Sequence, residues 1–319
     1  MRILVVGCTG FVASHLTAAL RVQFPGSVIY GASRGAPAAS IMVRLHGHLA
    51  LDLICEEEVR RAISVLQPDV TFHLATPRGG NLAHLLNLHV VGTANLLRAI
   101  RECGPLGART LVVGSAAEIG SSSPPDLSLS ETAPCCPADD YGIAKQAQSL
   151  LAQADGLRFR QPIVRIRLFN LLGPGCPQTL LPGRCAYLLA SKAVRLNSEP
   201  LQFGSLAALR DYTDVRDICE ALALAAHHGE AGRLYHVGSG QALSGLEIVR
   251  QLLAIAAPHT GPLIFYEDKG VPPMIPIQRA DSAVAHQELG WRPKIDLNQS
   301  LNDMWQQALI DAQLLDRAE

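Results

Sequence analysis

Apolar positions in the first half of the chain fall into two alternating kinds of run. Ile3–Val6, Val28–Tyr30, Val70–Leu74, Thr110–Val113 and Ile163–Phe169 are short, rich in β-branched residues and nearly continuous in apolar character. Strands buried on both faces of a parallel sheet read in this way. Between them, Phe11–Val22, Glu56–Leu66, His89–Cys103 and Tyr141–Ala154 space their apolar residues at helical intervals and close near Gly or Pro. The alternation predicts an α/β fold, a doubly wound parallel sheet with right-handed crossovers and helices on both faces. After Asn170 the pattern loosens. "LLGPGCPQTLLPGRC" is dense in turn formers, a helix is expected near Cys185–Ala193, one more strand within Gly232–Gly240, and helices near Ser244–Ala257 and Asn298–Leu315. A sheet domain of residues 1–170 plus about 207–240 is therefore expected. A smaller, mostly C-terminal lobe of about 171–206 and 241–319 would cap the carboxyl edge of its strands.

Composition narrows the class. The 319 residues are 48% hydrophobic, 17% charged and 5% aromatic, which describes an aliphatic globule with a sizeable core. A net charge of −1 without any Lys/Arg block argues against nucleic acid or an anionic membrane as partner. No apolar run reaches the length of a membrane span, and the short run that opens the chain ends in glycine, as a strand does and a signal peptide does not. Eight scattered cysteines without a C-x-x-C pair give no metal site or dithiol motif and suit a cytoplasmic chain with reduced thiols.

The first strand runs into "VVGCTGFVASHL", with Gly7 and Gly10 followed by Ala13. Gly7 permits a tight strand-to-helix turn, Gly10 a close approach of backbone to a pyrophosphate, and Ala13 close packing of helix on sheet. This is the dinucleotide-binding turn of a Rossmann domain, and Thr9, Phe11 and Val12 complete it. The second strand ends in Gly31-Ala32-Ser33-Arg34, with no carboxylate for the ribose hydroxyls of NAD. Arg34, helped by Ser33, suits the 2′-phosphate of NADP, so NADP is favoured over NAD. Asp52 and Leu53, and the strand end Leu74-Ala75-Thr76, are further places for the cofactor to lie. Ser115 ends the fifth strand, and Tyr141 and Lys145 stand one helical turn apart.

In order along nearly the whole chain, Gly7/Gly10/Ala13, Asp52-Leu53, "HLAT" (His73–Thr76), "HVVGTANLL" (His89–Leu97), Ser115 and Tyr141/Lys145 resemble the motifs of the extended short-chain dehydrogenase/reductases. "VRIRLFNLLGPG", "LRDYTDVRDICEAL", "GRLYHVGSG" and "ELGWRPKIDLNQSL" resemble the nucleotide-sugar branch, most of all the GDP-4-keto-6-deoxymannose reductases. The resemblance implies Tyr141 as acid/base, Lys145 lowering its pKa and holding the nicotinamide ribose, and Ser115 on the substrate oxygen. It implies Asn170 and Arg210 at the nucleotide diphosphate end of the substrate; Arg184 and Arg78 are further candidate substrate contacts, Arg78 in a loop that departs from the family pattern. It also implies a homodimer through the helices His89–Cys103 and Tyr141–Ala154. The chemistry agrees, since a phenol with a pKa near ~10 needs a nearby cation to act as a base at neutral pH.

The implied activity is an NADP(H)-dependent reduction of a 4-keto nucleotide sugar. An epimerase that retains NAD is the alternative, and a non-catalytic dinucleotide-binding sensor a third reading, disfavoured by the retention of Ser115, Tyr141 and Lys145. Four departures stand out. His89 replaces the family's Asn, "HLATPRGG" replaces "HLAAQ", and the arginine of an R-P-x-D segment ahead of Asp281 is missing, with Lys269 or Arg279 nearby. Ala116-Ala117 follow Ser115 where dehydratases carry acids, so a 4,6-dehydratase is disfavoured and Glu118 reads as structural.

Overall fold

The apolar runs become strands of one sheet, which β3 joins at its edge: β1 (Arg2–Val6), β2 (Val28–Ser33), β3 (Gly47–Ala50), β4 (Val70–His73), β5 (Arg109–Ser115) and β6 (Ile163–Leu168). Past them come β7 (Asn170–Leu172), β8 (Leu201–Phe203), β9 (Leu209–Asp214), β10 (Leu234–Val237), β11 (Ala242–Ser244), β12 (Phe265–Glu267) and β13 (Ile277–Gln278). The computed structural model describes residues 1–77, 79–120, 128–195, 200–268, 270 and 272–316, so Arg78 and Lys269 lie outside it. Seven strands pair in the order β10-β6-β5-β4-β1-β2-β3, every neighbour parallel. This is a doubly wound sheet of the Rossmann type, and its strand order reverses between β1 and β4, where a crevice opens at the carboxyl ends.

Strand periodicity explains the two layers of core. In β1, Ile3 and Val5 pack on one face with Phe72, Leu111 and the apolar stripes of α1 (Phe11–Gln23) and of a helix at Val215–His228. Leu4 and Val6 pack on the other with Val59, Ile63 and Leu96, from α3 (Glu56–Leu66) and α5 (Thr93–Cys103), which flank the short α2 (Ala39–Met42) and α4 (Leu82–Leu86) in chain order. The α6 helix (Asp140–Phe159) joins that second face through Ala152, against Leu97, Val112 and Ile163.

A smaller assembly is centred on β9, which pairs with β7 and β13 in parallel and with β11 antiparallel. The α7 (Leu181–Arg195), α9 (Gly245–Thr260) and α11 (Leu297–Asp316) helices share a separate core around Leu189, Leu252 and Trp305, while α8 is the Val215–His228 helix and α10 spans Ala283–Glu288. Among the described residues no helix is long and apolar enough to cross a membrane.

Two features differ from the pattern read in the sequence. The stretch expected as one helix over His89–Cys103 is a π-helical turn, Asn87–Gly92, running into α5. The short strands of the second assembly and the edge strand β3 were not expected; with two to six residues and mixed polarity they carry no period to detect.

Candidate active site

Gly7 turns the chain out of β1 at φ +86°, a region costly for any residue with a side chain. A Cβ there would lie 2.7 Å from the backbone of Ala75, so Gly7 also lets the ends of β1 and β4 close on each other. Gly10 is the N-cap of α1, no side chain caps the helix, and its first turn holds no acid. The free N–H groups and positive end of α1 therefore face the crevice beside Thr9, Phe11 and Val12, a cradle that fits a pyrophosphate.

At the end of β2, Ser33 is already engaged. Its hydroxyl donates to Gly35 O at 2.7 Å and stands 2.9 Å from His48 Nε2 and 3.2 Å from Cys8 Sγ. Arg34 is exposed and has no ion pair among the described residues. Of the two groups read as phosphate contacts, Arg34 is the one free to make them. Asp52 accepts from Ile54 N and is used locally, while Leu53 is buried under Gly92.

The start of α6 is fixed by Asp139, whose carboxylate accepts from Gly142 N at 2.7 Å. Gly142 then lies directly on the carbonyl of Ala117, leaving no room for a Cβ, and this contact brings Tyr141 up to the tip of β5. There Glu118, fully buried, accepts from Ser115 N at 2.7 Å and from Arg167 at 2.7 and 3.0 Å. It is tied into the fold and does not point at a ligand. Ser115 Oγ accepts from Ala117 N at 3.2 Å, which leaves its own proton free. The half-buried Tyr141 phenol meets the hydroxyls of Ser115 and Thr76. Burial raises its pKa above the ordinary value; those two hydroxyls work against the rise, while the Glu118 and Asp139 carboxylates add to it.

Lys145 stands one turn further along α6. Its ammonium, buried on the same helix, donates to Val113 O at 2.8 Å and to Gln148 Oε1 at 3.0 Å. Burial pushes its pKa down to about 8. Gln148 Nε2 in turn donates to Thr93 Oγ1 at 3.0 Å and lies 3.1 Å from His73 Nε2, which is 2.8 Å from Thr93 Oγ1. Sequence reasoning missed this buried chain; the only local signal for it was Gln148 lying one turn beyond Lys145. Burial first, and the Lys145 charge second, hold His73 down to about 3. His89, fully buried, sets its ring edge against Tyr141, with centroids 6.0 Å apart and planes at 72°.

In the second assembly Asn170 pairs with Tyr212 across β7 and β9, and Arg210 stands two residues before Tyr212 on the same face. Arg210 is half-buried, its pKa lowered by burial, and it meets no carboxylate among the described residues. Gln278, opposite Arg210 on β13, donates to Ala116 O at 3.0 Å and so ties this sheet to the tip of β5. Arg184 is exposed on α7 and shares no hydrogen bond with Asn170 or Arg210. All eight cysteines are free thiols.

Known proteins are similar to this chain over most of their length. GDP-6-deoxy-D-mannose reductase of Pseudomonas aeruginosa is 29% identical over 307 residues, covering 94% of each chain. The dTDP-6-deoxy-L-talose 4-dehydrogenase (NAD(P)(+)) of Kitasatospora kifunensis is 28% identical over 95% of this chain and 94% of its own. The solved structure of RMD from Pseudomonas aeruginosa complexed with NADPH superposes with a TM-score of 0.84 at 26% identity, covering 97% of this chain and 99% of that one. The model of the NAD dependent epimerase/dehydratase family matches residues 3–238, and the chain belongs to that family.

Proposed function

We propose that the protein is an NADP(H)-dependent oxidoreductase that reduces the 4-keto group of a nucleotide sugar of the GDP-4-keto-6-deoxyhexose class. The observation that carries the reading is the meeting of Tyr141 with the hydroxyls of Ser115 and Thr76 at the carboxyl edge of the sheet, beside the Gly7 turn. Full-length similarity to a GDP-6-deoxy-D-mannose reductase supports the substrate class.

The residues present fit the dinucleotide. The turn from Gly7 to Val12 would hold its pyrophosphate, Arg34 a 2′-phosphate, and Leu74, Ala75 and Lys145 the nicotinamide end. When bound, the reduced nicotinamide supplies a hydride to the carbonyl carbon. Tyr141, kept protonated at neutral pH by burial, is poised to give its proton to the oxygen that gains charge. Ser115 donates to the same oxygen and stabilises it. A resting proton donor suits reduction better than oxidation, which would need the phenolate first. Arg210 and Asn170 would receive the diphosphate, Arg210 as a desolvated cation without a protein anion. With Ala116-Ala117 after Ser115 and Glu118 bound to Arg167, an acid/base pair for 4,6-elimination is lacking among the described residues.

A homodimer belongs to this reading. Ile143, Leu150 and Leu157 recur every seven residues on α6 and are 40%, 55% and 73% exposed, an apolar stripe, and Val91 in the π turn that packs on α6 is 41% exposed.

The test is loss of reduced-nicotinamide absorbance on mixing the protein, NADPH and a GDP-4-keto-6-deoxyhexose. Tyr141→Phe is expected to bind NADPH and lose turnover; undiminished turnover removes Tyr141 from the mechanism. NAD retained through purification, with inversion at a sugar carbon and no net cofactor consumption, would replace the reductase by an epimerase.

A further inference from the structure

The Thr76 hydroxyl stands 3.4 Å from His89 Nε2, whose ring packs edge-on against Tyr141, and it is one of the two hydroxyls that act on the Tyr141 phenol. It has one proton to give, so the direction of that proton decides what it does to the tyrosine. Donated to His89, it leaves Thr76 only able to accept from the phenol. Donated to the phenol oxygen, it favours the phenolate.

The surroundings of His89 choose between these. The ring is fully buried within the π turn that packs on α6, and burial, Lys145 and His73 together push its pKa down to about 2. It is therefore neutral at physiological pH, carries a single N–H, and is far too weak a base to take the tyrosine's proton. Nδ1 is buried without a hydrogen-bond partner among the described residues. A proton on Nδ1 would bury an orphaned donor, whereas a proton on Nε2 finds Thr76 and leaves only an acceptor unmatched, the less costly state.

We infer that neutral His89 donates from Nε2 to Thr76 and so turns the Thr76 hydroxyl to donate to the Tyr141 oxygen. Thr76 and His89 are then positioning residues of the proton donor. Ser115 is prepared in the same manner, since its oxygen accepts from Ala117 N and its proton is free. Two oriented hydroxyls thus oppose the burial and the Glu118 and Asp139 carboxylates that disfavour the phenolate, while Lys145 and His73 act on the His89 ring. The effect moves the phenol toward neutral pH, where an acid is best matched to a transferring proton. The inference deepens the reductase reading and rests on it for its use in turnover, though not for its measurement.

The experiment titrates the phenolate absorbance of the full chain without substrate. The chain has six tyrosines, so the Tyr141 signal is taken as the difference from Tyr141→Phe. A hydrogen bond to a charged oxygen predicts that Thr76→Val raises the Tyr141 midpoint by roughly one to two pH units. His89→Phe, which keeps an aromatic ring against Tyr141, should raise it in the same direction. Thr76→Ser and His89→Asn, which keep a donor, should stay near wild type. Because His89 acts through Thr76, Thr76→Val with His89→Phe should shift no further than Thr76→Val alone. Thr76 is exposed, so its variant does not depend on repacking a core, and an unmoved midpoint there overturns the inference by itself. A shift with Thr76→Val but none with His89→Phe or His89→Leu overturns the part played by His89. The reductase reading fails separately, if Tyr141→Phe keeps its turnover.

Discussion

Replacing Glu118 by glutamine removes the charge from a carboxylate that no solvent touches, while keeping its volume and an oxygen to accept from Ser115 N. Glu118 is 0% and Arg167 2% exposed, and the guanidinium reaches the carboxylate through Nε at 3.0 Å and Nη2 at 2.7 Å. The other neighbours of Arg167 are His236 Nε2 at 3.0 Å and Cys135 Sγ at 3.5 Å. Burial, then the Arg167 charge, hold His236 down to about 3, and burial raises the Cys135 thiol, so neither is an anion at neutral pH. Glu118→Gln therefore strands a buried cation. Breaking a buried pair in this way costs about 3–5 kcal/mol. With an unfolding entropy of roughly 2 cal/mol/K per residue over 319 residues, the melting temperature should fall by roughly 4–8 °C. Thermal unfolding followed by circular dichroism reads that shift, and NADPH binding reads whether the Ser115 turn survives. Adding Arg167→Met removes the stranded cation, so the double variant should melt above Glu118→Gln. A fall of less than about 1 °C in the single variant, or a double variant that melts lower still, refutes the reasoning.

Three further outcomes follow from the same structure. Burial lowers the Lys145 pKa from 10.5 to about 8, so between those values the unfolded chain binds the extra proton and stability rises with pH. Lys145→Met should abolish this rise, on the order of 3 kcal/mol in denaturant unfolding across that window, and an equal slope in both proteins rejects it. Arg34→Ala should weaken NADPH roughly tenfold to a hundredfold by calorimetric titration and leave NADH nearly unchanged; equal losses for both would mean that Arg34 does not read the 2′-phosphate. Leu150→Glu in the exposed stripe of α6 should yield a monomer by light scattering, and a wild-type chain that is itself monomeric refutes the homodimer.

Much of the framework was legible because it is written in local spacing. Continuous apolar runs marked the central strands, Glu56–Leu66 was bounded correctly at both ends, and the Gly7 turn announced itself by residues that only a tight strand-to-helix connection requires. The second assembly was not legible in that way. The strands β7, β11 and β13 have three residues or fewer and exist because β9 offers them edges, a condition no window of sequence contains. The π turn at Asn87–Gly92 was equally hidden, since one extra residue in a helical turn leaves the apolar period almost unchanged.

The Y-x-x-x-K spacing shows where legibility ends. Residues four apart on a helix share a face, which places Tyr141 and Lys145 in one site but does not make them partners. Lys145 spends its described hydrogen bonds on the β5 carbonyl of Val113 and on Gln148, which is held by Thr93 at the start of α5 and His73 at the end of β4. Tyr141 instead faces Ser115 from β5 and Thr76 from the end of β4. In this chain the acidity of the phenol is thus set first by burial and by hydroxyls contributed from separate strands. Burial keeps the His73 and His89 imidazoles neutral, and the lysine charge adds to that effect on both. A four-residue motif can locate such a site, but its protonation is decided by groups that only the folded sheet brings within reach.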